Sequence, residues 1–229
     1  MTPNVESPSL APNRAARRRR VAIVRRVVPG SWVVLKRTMD LVVAIGALVL
    51  TAPVIGVAAL GIACVSPGSP FFTQDRVGKD GRRFRLFKLR TMIDGAHLIH
   101  DELHPLSEVD GPVFKIRNDP RLHPLGKMLR RTSIDELPNL LNVILGDMSI
   151  VGPRPPLARE VARYNDFARR RLTVKPGITC LWQISGRSNL SFDEWMRLDN
   201  AYIDTWSPWG DFIILLKTVP AVLRGEGAH

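Results

Sequence analysis

The apolar positions of this chain follow several distinct patterns. From 41 to 65 they are continuous, and LVVAIGALVLTAPVIGVAALGIACV carries no charged side chain over 25 residues. As a helix the run would extend about 37 Å, against a bilayer core about 30 Å thick. It is too long, and too far from residue 1, to be a cleaved leader. Two features oppose a plain span. Pro53 in the middle removes a backbone hydrogen bond and crowds the carbonyl of Val49. Each half, of about 12 residues or 18 Å, then reaches about halfway across. Thr51 stands where its hydroxyl can serve a freed carbonyl. The flanks also share one sign. Lys36 and Arg37 precede the run, and Arg76, Lys79, Arg82, Arg83, Arg85, Lys88 and Arg90 follow it. Lysine and arginine favour the cytoplasmic side, so both ends belong there. A re-entrant helix that enters, breaks at Pro53 and returns satisfies both observations. A kinked spanning helix is the alternative.

Beyond the run, strand-like residues flank Gly78, Lys79, Asp80 and Gly81, which predicts a hairpin. Residues 94–106 are helix or loop. After Glu136, apolar side chains at Leu137, Leu140, Leu141, Ile144, Leu145 and Met148 give a helical period, punctuated by Gly146 and then Gly152–Pro153. A last apolar stretch covers 211–223. Trp206 and Trp209 precede it, placed either at a membrane–water interface or in ordinary core packing. The expected fold is α+β, mostly helical. It comprises a basic, disordered tail over 1–34, a re-entrant membrane helix over 35–68 and a small cytoplasmic domain over 69–225. That domain holds a short hairpin and interfacial helices.

Charge narrows the partners. The 229 residues carry 33 Lys and Arg against 21 Asp and Glu, a formal net charge of +12. Such an excess selects anionic partners: nucleic acid, an anionic membrane surface or phosphorylated small molecules. No nucleic-acid recognition motif accompanies it, so nucleic acid is not expected. An unbroken arginine run at 17–20, with Arg25 and Arg26, can bind anionic headgroups at roughly 1 kcal/mol per residue near the surface, or merely keep the tail solvated. Cys64 and Cys180 form neither a disulfide framework nor a zinc spacing, which points to a reducing compartment. His97, His100 and His104 share a helical spacing but match no metal signature, and an exposed polar helix explains them. A homodimer is compatible with these patterns.

The segment Arg130-Arg131-Thr132-Ser133-Ile134-Asp135-Glu136-Leu137-Pro138 sets two adjacent carboxylates behind two arginines. Taken alone, Ser133 and Glu136 read as a capping box on a helix N-terminus, where acidic residues are favoured anyway. The surroundings support a chemical reading. Arg130, Arg154 and Arg187 fall in or beside Gly/Pro loops and helix ends, and arginine recognises phosphate bidentately. By its reference pKa near 4, Asp135 would be ionised at neutral pH and able to act as a nucleophile. Glu136 would hold Mg²⁺ on a pyrophosphate. Positioning and charge neutralisation would then carry most of the catalysis.

Several ordered motifs resemble one family. These are Lys36-Arg37-Thr38-Met39-Asp40, Phe72-Thr73-Gln74-Asp75-Arg76-Val77-Gly78 and Phe87-Lys88-Leu89-Arg90-Thr91-Met92. Asp119-Pro120-Arg121, Ser133 to Pro138 and the stretch 146–155 (GDMSIVGPRP) follow. The set ends with Lys175-Pro176-Gly177-Ile178-Thr179 and 182–187 (WQISGR). Over about 36–223 the chain resembles the bacterial sugar transferases, the monotopic phosphoglycosyl transferases of bacterial polysaccharide synthesis. That resemblance implies transfer of a hexose 1-phosphate from a UDP-sugar to undecaprenyl phosphate, the first membrane step of exopolysaccharide synthesis. The enzyme would sit at the cytoplasmic face of the inner membrane and among its lipids. It implies Asp135 as nucleophile and Glu136, with Asp135, as the Mg²⁺ site. Arg130, Arg154, Arg187 and Lys88 would be the phosphate-binding residues. Two positions depart from the family pattern. Ala52 stands where serine often precedes the proline, and Cys180 stands where glycine usually follows Pro-Gly-Ile-Thr.

Overall fold

The computed structural model describes residues 29–224 other than 97, 100, 101, 107, 109, 110, 115, 117 and 187–189. The arginine-rich tail over 1–28, His97, His100 and Arg187 therefore lie outside the described residues. In chain order the elements are α1 (Gly30–Val65), β1 (Phe71–Val77), β2 (Arg83–Leu89), α2 (Gly126–Arg131), α3 (Asn139–Leu145) and β3 (Ser149–Val151). Then come α4 (Ala158–Ala162), α5 (Asp166–Arg169), β4 (Gly177–Thr179), α6 (Leu181–Ile184), α7 (Phe192–Thr205) and α8 (Pro208–Arg224).

The helix expected to break at Pro53 is continuous. α1 runs over 36 residues with Pro53 inside it. Proline removes one rung of the ladder, at the Val49 carbonyl, and the remaining bonds carry the helix through. Thr51 does not replace that rung. Its hydroxyl donates to the Ala47 carbonyl at 2.7 Å.

Both ends of α1 are fastened to the rest of the fold. Near its start, Lys36 Nζ lies 2.6 Å from Asp211 Oδ2 and also donates to the Val151 carbonyl. Arg37 donates to the Val143 and Ile144 carbonyls at 2.7 and 3.0 Å, capping the C-terminal end of α3. Buried Asp40 accepts from Ser149 Oγ and Ile150 N. Beyond its other end, Arg90 donates to the Ser66 carbonyl at 2.7 Å. Ala44, with Val43, Ala47 and Leu48, packs on Leu140 and Val143 of α3, while Ile62 packs with Leu89 and Leu129. The opposite face is apolar and bare: Val42, Val49, Leu50, Val57 and Leu60 are all exposed. A helix that carries no charge from 41 to 65 and is apolar on its uncovered side is built for lipid.

The predicted hairpin is present, β1 and β2 pairing antiparallel from Phe71 opposite Leu89 to Val77 opposite Arg83. Asp80 and Gly81 both take positive φ at its turn. The predicted helix after Glu136 is α3, which buries Leu140 and Val143 and ends at Gly146 in the left-handed conformation. A second, parallel pair, β3 with β4, is not visible in the sequence pattern. Here Gly152 and Gly177 meet backbone to backbone. A Cβ on Gly177 would come 2.1 Å from Gly152 N, so neither position has room for a side chain. The two tryptophans divide their roles. Trp206 is half-buried, meets Trp32 edge-on and donates to Asp211. Trp209 is exposed beside Phe212, at the start of α8.

Candidate active site

Between the hairpin, α2, α3 and the loop after β3 lies a cavity of about 670 Å³. The chain reaches it by a sharp turn. α2 ends at Arg131, Ser133 takes the left-handed conformation with φ 57°, and residues 134–136 form one turn of 3₁₀ helix. A left-handed serine is uncommon and such strain clusters at functional sites. This geometry corrects the capping-box reading. The Ser133 side chain caps nothing, and Asp135 and Glu136 stand on the 3₁₀ turn rather than on the first turn of an α-helix. The turn directs Asp135 inward, so that it is almost fully buried, while Glu136 stays about a third exposed.

The cavity gathers most of the residues singled out from the sequence: Asp135, Glu136, Lys88, Arg130 and Arg154 all line it. Lys88 Nζ lies 2.7 Å from Glu136 Oε1 and 4.0 Å from Asp135 Oδ2. Arg130 Nε donates to Thr91 Oγ1 at 3.1 Å. Arg154 Nη1 is 3.6 Å from Glu160 Oε2, and its guanidinium lies 5.6 Å from the centre of the Trp195 ring. Sequence reasoning gave no site role to Arg76, although it lies inside a matched motif. Its buried guanidinium lines the same cavity and donates to the Pro155 carbonyl, one residue past Arg154. It also missed Trp195, stacked on Trp182 at 4.7 Å. Asp119 and Arg121 of another motif form a buried fork, with bonds of 2.8 and 2.6 Å, on the cavity wall.

Two neighbouring carboxylates are driven apart in acidity. Burial pushes Asp135 up to about 6, with Glu136 adding to the rise and Lys88 and Arg130 opposing it. Asp135 is therefore a weaker acid than its reference value near 4 implies, yet it is mostly ionised at pH 7. Burial also acts on Glu136, but Lys88, Arg154 and Arg76 outweigh it and hold that carboxyl below its ordinary value. Arg76 is pushed down to about 9 by burial and by Arg154 beside it. An anion entering the cavity would relieve this crowding of positive charge.

No group of three or more metal-ligating side chains occurs among the described residues. Mg²⁺ takes one or two carboxylates and completes its shell with water and substrate phosphates. Glu136 fits such a role, being ionised and facing the cavity. Asp135 fits it less well, because burial disfavours its charged form. The departure at Cys180 is accommodated: its backbone is extended, and burial pushes the thiol up to about 12, leaving it uncharged.

The model of the bacterial sugar transferase family matches residues 31–225. The chain belongs to that family. Bacterial sugar transferases similar to it include galactosyl transferase CpsE of Streptococcus agalactiae, 46% identical over 188 residues, 78% of this chain and 42% of that one. The undecaprenyl-phosphate galactose phosphotransferase of Salmonella typhimurium is 40% identical over 200 residues, 85% of this chain and 42% of that one. The UDP-glucose:undecaprenyl-phosphate glucose-1-phosphate transferase of Caulobacter vibrioides is 41% identical over 205 residues, 85% and 72% of the two chains. The chain spans about two fifths of the length of the first two sugar transferases.

Proposed function

We propose that this sugar transferase moves a hexose 1-phosphate from a UDP-sugar to undecaprenyl phosphate, through a covalent phosphosugar on Asp135. The observation that carries this reading is a buried, ionisable aspartate set among Lys88, Arg130, Arg154 and Arg76 in one cavity. An ionised Asp135 oxygen attacks the phosphorus that bears the sugar. The bond from that phosphorus to the UMP oxygen breaks, and UMP departs with the electron pair. An oxygen of the lipid phosphate then attacks the same phosphorus. The bond to Asp135 breaks, restoring the carboxylate and releasing a polyprenyl diphosphosugar. Arg76, Arg130 and Arg154 hold phosphate oxygens, since guanidinium groups pair with them bidentately. Mg²⁺ on Glu136 would neutralise diphosphate charge, with Lys88 turning from Glu136 to the phosphates. The direct test is a panel of UDP-sugars and undecaprenyl phosphate in detergent, scored by UMP release and lipid product. Absence of transfer from every UDP-hexose would reject the reading.

Acidification should silence the first step. Asp135 attacks only when ionised, and its pKa of about 6 lies above the ordinary carboxylate value. UMP release should fall about tenfold per unit as pH drops below about 6, and level off above it. A profile flat down to pH 4.5 would exclude Asp135 as the titrating nucleophile.

The membrane reading rests on α1. Both of its ends are fastened to one domain while its other side is bare and apolar. This supports a helix that bends at Pro53 without ending there, so that it enters and leaves by the same face, with the domain at the cytoplasmic side and α8 at the interface. A C-terminal reporter that reads periplasmic would reject it.

A further inference from the structure

Helix α3 carries two buried asparagines with opposite fates. Asn142 is fully enclosed and fully bonded: its Oδ1 accepts from Phe87 N at 3.0 Å and its Nδ2 donates to the Arg85 carbonyl at 2.7 Å. It pins α3 to the edge of β2. Asn139, one turn earlier, is 4% exposed, and its Oδ1 has no hydrogen-bond partner among the described residues. A buried amide left so costs about 1–3 kcal/mol, which a structural role would not explain. Asn139 lines the cavity with Asp135 and Glu136 and opens α3, three residues after Glu136.

Among the described residues, the other buried side-chain atoms on this cavity without a hydrogen-bond partner are Arg76 Nε, Arg90 Nε, Arg154 Nη1 and Trp195 Nε1, all donors. Phosphate oxygens can satisfy donors but offer nothing to Asn139 Oδ1. A hydrogen-bonding partner for it must itself donate. Of the parts of a nucleotide sugar, the hexose beside the transferred phosphorus lies next to Asp135 and carries hydroxyl groups. A hydroxyl also serves either side of the amide, because it both donates and accepts. We infer that Asn139 is a sugar-recognition residue, binding one hydroxyl of the transferred hexose. This rests on the proposed transfer from a UDP-hexose.

The test uses the full chain in detergent, UDP-glucose and UDP-galactose, and their 2-, 3-, 4- and 6-deoxy analogues. Transfer of the parent sugars by the wild type establishes the reaction first, and its absence would overturn both readings. Given transfer, the wild type should lose about 10- to 100-fold in kcat/KM for one deoxy position. Asn139→Leu, of similar volume, should lose a comparable factor on the parent sugar and show no further loss on that analogue. Its melting temperature should hold or rise, since an unsatisfied polar group has been removed. A wild type that accepts all four deoxy positions equally overturns the inference even if the variant does not fold. So does an Asn139→Leu enzyme that keeps full activity, or one that keeps the wild-type preference.

Discussion

Replacing Asp135 by asparagine is expected to slow UMP release from the UDP-sugar by at least about 1000-fold while leaving a folded protein. The amide has nearly the shape of the carboxylate but is too weak a nucleophile to form the phosphosugar. Stability should not suffer. The wild-type carboxyl is buried beside Glu136 and resists ionisation, so a neutral group of the same size removes a repulsion. The decisive comparison sets single-turnover UMP formation against the melting temperature of the same preparation. Full turnover in Asp135→Asn would sink the covalent mechanism. Lost turnover with lost folding would be answered by Asp135→Ser, which also lacks the carboxylate and relieves the same repulsion.

The second large effect belongs to Arg171. Its guanidinium is buried with Asp199 at 2.8 Å, donates to Tyr164 and lies 4.8 Å from the centre of the Trp195 ring. It also donates to the Arg154 carbonyl at 3.0 Å, which ties the loop after β3 to α7. Arg171→Met would strand Asp199, whose carboxyl burial already pushes up to about 6 against the pull of Arg171. Stranding a buried charge costs about 3–5 kcal/mol, or about 10 °C in melting temperature for a chain of this size. The sign of the pH dependence follows. Without Arg171 the folded pKa of Asp199 rises further above its unfolded value near 4, so the folded state binds the extra proton. The variant should therefore regain stability as pH falls from 8 toward 4. Thermal melts across that range check it, and Arg171→Met with Asp199→Leu should recover most of the loss. A single variant as stable as wild type at pH 8 would contradict this account of the pair.

Local chemistry made several elements legible. Asp80 and Gly81 announced the hairpin, the 3.6-residue period announced α3, and Gly146 marked its end. The candidate site was legible because its motifs are contiguous: Lys88, Arg130, Asp135, Glu136 and Arg154 each sit in a short, recognisable string. What escaped depends on distant contacts. β3 and β4 are three residues each and pair only because Gly152 and Gly177 permit their backbones to touch. Ser133 fits a capping pattern that its left-handed backbone forbids. The rise of Asp135 above its reference value was not legible, because burial is not visible in a sequence. Pro53 does not end α1, because one missing rung leaves the rest of the ladder in place.

The fastening of α1 at both ends has a further consequence. Lys36, Arg37 and Asp40 near one end and Arg90 beyond the other leave no slack between the apolar helix and the cavity wall, of which Arg90 is itself a part. Helix and cavity therefore travel as one rigid piece. Whatever depth α1 takes among lipid tails, the mouth of the cavity takes a matching height above them. The headgroup plane becomes a ruler. On the proposed reaction, an acceptor that drifts in that plane would search in two dimensions only, already at the right level, while a soluble donor would approach from the third.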